Sequence, residues 1–125
     1  MTEIIIPKPE VVELDDGIEM FGEIEEITSK NLGAKHANFA KVTLWGPDFL
    51  HHHEKAEETY VCLEGEGEII LDNTIHEFLP GTRVIISPGT LHAVRPKDLK
   101  MIFHCISSPA FDPDDVYNDE RGRNW

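Results

Sequence analysis

The 125-residue chain has few basic residues, few cysteines and no long apolar run. Its 11 lysines and arginines stand against 24 acidic residues, which gives a formal net charge of −13. Because a nucleic-acid-binding surface must neutralise phosphates with basic side chains, this composition argues against such a partner. No apolar stretch approaches the roughly 20 residues that a membrane-spanning helix needs. We therefore expect neither nucleic acid nor a membrane as a partner.

The scarcity of cysteine bears on the cellular compartment. Cys62 and Cys105 are too few to form a disulfide framework, although a single disulfide is compatible with the sequence. The first residues, MTEIIIPK, show no basic stretch that leads into a long apolar one, as a secretory signal would. We therefore expect a soluble, cytoplasmic protein.

Strand-sized segments recur along the chain, separated by turns that contain glycine or proline, and no segment has the periodicity of a three-turn amphipathic helix. The predicted strands are residues 4–6, 11–14, 18–28, 38–45, 58–63, 68–71, 74–78, 83–86, 90–95 and 100–107. The turn Glu64-Gly65-Glu66-Gly67 predicts a β-hairpin. The pattern indicates an all-β sandwich or barrel that occupies residues 1–107, including the N-terminal strands. Residues 108–125 form a C-terminal tail that wraps the outside or is partly mobile.

The most informative motif is the triplet His51-His52-His53, which lies mid-chain and is therefore not a terminal tag. On an extended strand His51 and His53 point to the same side and His52 points to the other. Glu58 and His92 come from other predicted strands. Three imidazoles and one carboxylate that converge would form a site for a divalent transition metal.

These residues lie in two blocks of regular spacing. The first block contains Gly46, His51, His53, Glu58 and Gly65, and the second contains Gly81, Ser87-Pro88-Gly89 and His92. Both blocks, in this order, resemble the paired motifs of the cupin superfamily, in particular the small single-domain cupins that are compared with mannose-6-phosphate isomerase. Two departures are Ser87 and Pro96, where the family usually has proline and asparagine.

The resemblance implies a double-stranded β-helix, or jelly-roll barrel, with one divalent metal ion bound by His51, His53, Glu58 and His92. It also implies a homodimer in which terminal strands pair across the interface. A bare N-terminal strand at residues 4–6 would supply such an edge. The identity of the metal stays open among Fe, Mn, Zn and Ni.

Two further residues are candidates for catalysis. Tyr60 has the same strand parity as Glu58 and could donate a proton in the pocket, although a tyrosine that only fills the barrel is the commoner case. His104 lies on the last predicted strand and could face either way, and a packing or surface role is favoured over acid-base chemistry.

Three functions are compatible with these features. The first is a metal-dependent enzyme that acts on a carbohydrate or another oxygenated small molecule, as an isomerase, epimerase or lyase. The second is an Fe(II)-dependent oxygenase, such as a dioxygenase, that binds O₂ at open metal positions. The third is a non-catalytic ligand-binding protein in which the metal is structural. A complete set of four ligands favours an enzyme, and the sequence does not identify its substrate.

Overall fold

The structure is a computed structural model that describes the backbone of residues 3–7, 10–15 and 20–125 and the side chains of residues 3–7 and 21–125. The strands in these ranges are β1 (Glu10–Asp15), β2 (Met20–Thr28), β3 (Asn38–Leu44), β4 (His51–His52), β5 (Glu57–Glu64), β6 (Gly67–Leu71), β7 (Thr74–Phe78), β8 (Arg83–Ile86), β9 (His92–Pro96), β10 (Met101–Ser108) and β11 (Tyr117–Asn118). Short 3-10 helices occupy Lys30–Leu32 and Pro113–Asp115. None of the helices described is long and apolar enough to cross a membrane.

The strands form two antiparallel sheets that face each other. The six-stranded sheet has the order β1-β2-β3-β10-β5-β8, and the five-stranded sheet has the order β11-β4-β9-β6-β7. From β3 onward the chain crosses from one sheet to the other at every step except the β6–β7 hairpin, so it winds around a common interior as a double-stranded β-helix. The predicted fold class is therefore confirmed.

The interior is built from the alternating side chains of both sheets. Along β3, Ala40, Val42 and Leu44 are buried, and the residues between them are half-buried on the outer face. The cluster at one end of the barrel contains Leu44, Cys62, Ile69, Phe78, Val94, Met101 and Phe103. Full burial of a large apolar side chain contributes about 1.5–3 kcal/mol, so this cluster stabilises the fold, and some of its members, such as Leu44 and Phe103, also line the cavity of the site.

One strand prediction needs correction, and another is tested only over part of its length. Residues 4–6 are not part of a strand, and the side chains of Ile4 and Ile5 are 58% and 83% exposed. The strand predicted at 18–28 begins at Met20 in the described backbone, and residues 16–19 lie outside the described residues. An isoleucine run has strand propensity, but propensity alone does not supply a pairing partner.

The hairpin predicted at Gly65 is also wrong. Gly65 has the expected positive φ of 82°, but β5 belongs to the six-stranded sheet and β6 to the five-stranded sheet. The turn therefore transfers the chain from one sheet to the other. A Cβ at Gly67 would lie 2.4 Å from Met101 Sδ and 2.5 Å from the carbonyl oxygen of Arg95, so only glycine fits this crossover.

The segment after Ser108 packs along the five-stranded sheet. Strand β11 pairs with β4 and brings Tyr117 opposite His52. Beyond it, the Leu50 amide donates to the carbonyl oxygen of Gly122 at 2.9 Å, and the Trp125 indole donates to the carbonyl oxygen of Asp48 at 2.9 Å. These bonds attach the C-terminal segment to the loop that precedes the histidine triplet.

The homodimer stays a prediction. Because residues 4–6 do not form a strand, the expectation now depends on exposed apolar side chains of the six-stranded sheet. Edge strand β8 carries Ile85, which is 69% exposed, and Leu63 and Ile106 are exposed on the same outer face. We expect light scattering at micromolar concentration to give twice the chain mass of 14.2 kDa, because a second copy would cover these side chains. A mass of one chain would contradict the dimer.

Candidate metal centre

The structure brings together His51, His53, Glu58 and His92, and the possible ligand atoms of these four residues all lie within 4.8 Å of one another. Antiparallel pairing of β4 with β9 sets His51 directly opposite His92. Glu58 reaches the group from β5 in the other sheet, so the cluster spans both sheets. The alternation predicted for the triplet explains why His51 and His53 share a side.

Each of the three imidazoles is oriented by a backbone carbonyl. The Nδ1 atoms lie near carbonyl oxygens in three pairs: His51 with Phe49 at 2.7 Å, His53 with Asp115 at 2.8 Å, and His92 with Thr90 at 2.8 Å. A carbonyl oxygen only accepts hydrogen bonds, so each Nδ1 must carry the proton. The Nε2 atoms, once they have lost any proton of their own, are then the lone-pair donors that a metal requires.

The Nε2 atoms of His53 and His92 each lie 3.0 Å from Glu58 Oε1. Burial alone would raise the pKa of Glu58, but hydrogen bonds from His53 and His92 outweigh it and hold that pKa well below its ordinary value. Burial lowers the pKa of His53, but the hydrogen bond and charge of Glu58 raise it above its ordinary value. Glu58 and His53 therefore hold a proton between them. A divalent metal ion would bind at the same place and replace that proton. The donor set fits such an ion.

The second oxygen of Glu58 has a partner of its own. Cys105 Sγ donates to Glu58 Oε2 at 3.2 Å, and burial followed by the charge of Glu58 raises the pKa of this thiol well above its ordinary value. The Tyr60 hydroxyl lies 3.5 Å from Glu58 Oε1, and burial together with Glu58 raises its pKa too. Both groups stay protonated, so they can donate but not act as bases at neutral pH. Cys105 directs Oε1 towards the imidazoles.

A cavity of about 240 Å³ opens beside the cluster. Its floor is the inner face of the six-stranded sheet and includes Glu26, Asn38, Ala40, Tyr60, Cys105 and Ser107. Asp48, Phe111 and Val116 also line it. The cavity is large enough for a small organic molecule that contacts both the cluster and the floor.

Asp48 is a site residue that the sequence did not indicate. Its carboxylate oxygen lies 3.8 Å from His51 Nδ1, and removal from water, opposed by His92, raises the pKa of Asp48 to about 7. Such a carboxyl group can both accept and donate a proton near neutral pH. No spacing rule singles out an aspartate in the loop between Pro47 and Phe49.

Asp115 is the second residue that sequence reasoning missed. It is 5% exposed, and its carboxylate accepts hydrogen bonds from the backbone amides of Glu54 at 3.0 Å and Lys55 at 3.1 Å. Its carbonyl oxygen is the one that orients His53. One residue of the C-terminal segment thus holds both a ligand and the loop that follows it.

The structure does not bring His104 into the cavity. His104 lies on the face of β10 opposite Phe103 and Cys105, and its ring packs edge-on against Phe39 with centroids 4.8 Å apart. This placement argues against the catalytic role considered for His104. Tyr60, in contrast, lines the cavity, and its role as a proton donor stays a prediction.

His52 also lies apart from the cluster, as strand alternation predicts. Its Nε2 atom is 2.9 Å from Glu54 Oε1, and its ring stacks on Tyr117. We expect His52→Gln to leave metal affinity nearly unchanged and His53→Gln to lower it by about a hundredfold or more, since only the second removes a ligand. Titration of the metal-free variants with zinc measures both affinities. Equal losses from the two substitutions would mean that the assignment of ligands is wrong.

The sequence of this chain is similar to those of several known proteins. The family model described as "Cupin domain" matches residues 43–106. The L-ectoine synthase of Saccharophagus degradans is 32% identical over 80 residues, which cover 62% of this chain and 58% of the synthase. An uncharacterised protein of Methanocaldococcus jannaschii is 32% identical over 78 residues, which cover 62% of each chain. The chain thus spans about three fifths of the curated relatives it matches.

Solved structures show the same fold at lower identity. Pac13, a nucleoside dehydratase, has a TM-score of 0.75 at 12% identity, and the match covers 95% of this chain and 91% of that one. A protein with a cupin-2 domain from Rhodospirillum rubrum has a TM-score of 0.70 at 19% identity, covering 89% and 76% of the two chains. Identities this low establish a shared fold only.

Proposed function

Because the chain belongs to the cupin domain family, we propose that it is a metal-dependent enzyme that acts on an oxygenated small molecule as a lyase, epimerase or isomerase. The observation that supports this proposal is the cluster of three imidazoles and one carboxylate at the wall of a cavity. A purely structural zinc site would more often use cysteine ligands and exclude ligands from outside. Here the cluster adjoins space that a substrate can occupy.

His51, His53, Glu58 and His92 would hold the ion. One carboxylate against a divalent cation leaves the site with a formal charge near +1. When bound, the metal would polarise a substrate oxygen and stabilise negative charge that develops on it. The cavity walls include the apolar side chains of Val42, Phe103 and Phe111, which lower the local polarity and so strengthen the electrostatic interaction.

Proton transfer would fall to two residues of the cavity. Asp48, which lines the cavity with its carboxylate 3.8 Å from His51 Nδ1, would take a proton from a carbon next to the polarised group. Tyr60, which stays protonated, would donate a proton to a leaving or shifting oxygen. Removal of a proton at one carbon and of a hydroxyl group at its neighbour is the pattern of a dehydration. A dehydratase among the proteins of the same fold supports this version of the proposal.

Elemental analysis of protein purified without added metal tests the proposal. We expect about one equivalent of zinc or manganese, in keeping with proton-transfer chemistry that needs no redox change. One equivalent of iron, together with O₂ consumption in the presence of candidate substrates, would favour the oxygenase instead. Protein that holds no metal, even after incubation with zinc and dialysis, would contradict the metal-dependent enzyme. We expect metal removal by a chelator to lower the melting temperature, because bound metal stabilises the native state alone.

A further inference from the structure

The cavity extends across the six-stranded sheet away from the metal centre and ends at a second polar group. Register places Tyr60, Cys105, Ala40 and Glu26 in one row across β5, β10, β3 and β2. Three steps between neighbouring strands separate the first and last of these residues, or about 14 Å along the sheet. Glu26 therefore faces the metal centre across the length of the floor.

The carboxylate of Glu26 lies among apolar neighbours, with Ile24, Ala40 and Val42 lining the same part of the cavity. Within the part of the chain that the structure describes, its side chain forms neither an ion pair nor a hydrogen bond. Glu26 is half-buried, so its carboxylate loses part of its hydration on the inner face of the strand, which costs free energy unless a partner replaces the lost water. A ligand in the cavity can supply that partner.

Asn38 lies on the same floor, diagonal to Glu26 on the neighbouring strand, and is 8% exposed. Its side-chain oxygen accepts a hydrogen bond from the backbone amide of Phe111 at 2.7 Å, which orients the amide group. The NH₂ group is then left for a ligand, since no described residue hydrogen-bonds to it. Glu26 and Asn38 together offer an acceptor and a donor at the end of the cavity far from the metal.

The charge of the lining restricts the ligand further. Among the described residues that line the cavity, three are carboxylates, Glu26, Asp48 and Glu58, and none is a lysine or arginine. A phosphate or carboxylate far from the metal would face Glu26 without a compensating cation, which is unfavourable in a site of low polarity. The unphosphorylated form of a substrate therefore fits this cavity better than the phosphorylated form.

We infer that Glu26, assisted by Asn38, is a specificity-determining residue that binds a hydroxyl or amino group at the end of the substrate opposite its metal-binding oxygen. The substrate is accordingly uncharged or cationic, polar at both ends, and without a phosphate group. This inference rests on the proposed metal-dependent function and adds the substrate class to it.

Hydroxamic acids provide a test that needs no knowledge of the natural substrate, because the hydroxamate group binds the metal. Acetohydroxamic acid probes the metal centre alone. A homologous series of straight-chain hydroxamic acids that end in an amino, hydroxyl or carboxylate group probes the far end of the cavity. Calorimetry on the zinc-loaded protein measures the affinities for wild type, Glu26→Gln and Glu26→Lys, with Glu25→Gln as the matched control. Glu25 lies on the same strand, opposite Lys41 on the outer face.

At the chain length that binds best, we expect the amino probe to bind wild type about tenfold or more tightly than the carboxylate probe, with the hydroxyl probe between them. Glu26→Gln should abolish the preference for the amino probe, Glu26→Lys should reverse it, and Glu25→Gln should preserve it. Acetohydroxamic acid should bind all four proteins alike, which also shows that the variants are folded.

The outcomes separate the two proposals. Binding of acetohydroxamic acid with no preference among the longer probes, or with a preference that Glu26→Gln preserves, would overturn the role of Glu26 and leave the metal site intact. A wild-type preference for the carboxylate probe would overturn the substrate class. Failure of acetohydroxamic acid to bind zinc-loaded wild type would overturn the accessible metal centre itself, and the inference with it.

Discussion

His92→Ala should purify with less than about a tenth of the metal bound by wild type, because loss of a ligand weakens binding by more than the 10–100-fold that loss of a supporting residue costs. His92 is buried at the centre of the cluster, 3.0 Å from Glu58 Oε1, and its strand is held in place by pairing with β4 and β6. The main core cluster, which includes Leu44, Phe78 and Phe103, consists of apolar side chains that remain in place without the imidazole. Elemental analysis measures the metal, and circular dichroism checks the fold.

His104→Ala is the matched control for that substitution. It removes the same side chain from the outer face of β10, where the ring contacts Phe39 and not the cavity. We expect this variant to keep the full metal content. Stoichiometric metal in His92→Ala would count against His92 as a ligand, and metal loss in both variants would indicate that the effect arises from the fold.

Asp115→Ala should weaken both the metal centre and the fold. The substitution removes the acceptor for the backbone amides of Glu54 and Lys55, which costs about 1–3 kcal/mol of the free energy of unfolding. It also frees the backbone whose carbonyl orients His53, so we expect zinc affinity to fall by about 10–100-fold. Urea unfolding of the metal-free protein measures the first effect, and zinc titration measures the second.

Asp114→Ala is the control for Asp115→Ala. Asp114 is the exposed neighbour of Asp115, and its substitution removes the same negative charge. Its backbone amide, which bonds the Asp112 side chain, is unaffected by the substitution. We expect wild-type stability and zinc affinity. If Asp115→Ala and Asp114→Ala behave alike, the contacts of Asp115 do not support the metal centre.

The parts of this protein that follow from local rules could be predicted from its sequence. Alternation along a strand places His51 and His53 on one side and His52 on the other, and the same rule puts Tyr60 beside Glu58. The segments that became β3, β7 and β8 have the expected limits within a residue. The resemblance supplied the long-range step that local rules do not, namely that His92 pairs with the triplet.

The features that were predicted wrongly or missed all depend on contacts between distant segments of the chain. The turn at Gly65 has the backbone conformation of a hairpin, but which sheet receives β6 depends on the whole barrel. Asp48 and Asp115 become site residues only because the C-terminal segment crosses the loop before the triplet. Their surroundings in sequence, a Gly-Pro turn and a run of acidic residues, indicate nothing about a metal. Contacts that span more than sixty residues, such as Asp115 with His53, are set by tertiary packing.

The central position of β10 has a consequence for how quickly the protein reaches its native state. Strands β1-β2-β3 and strands β5-β8 remain two separate pieces until β10 enters between β3 and β5. Folding slows as paired segments become more distant in the chain, so we expect a slow refolding phase on the millisecond-to-second scale. Cys105 and Asp115 reach the ligands with or after this strand. High-affinity metal uptake should therefore follow the slow phase, and added zinc should leave the rate of that phase unchanged.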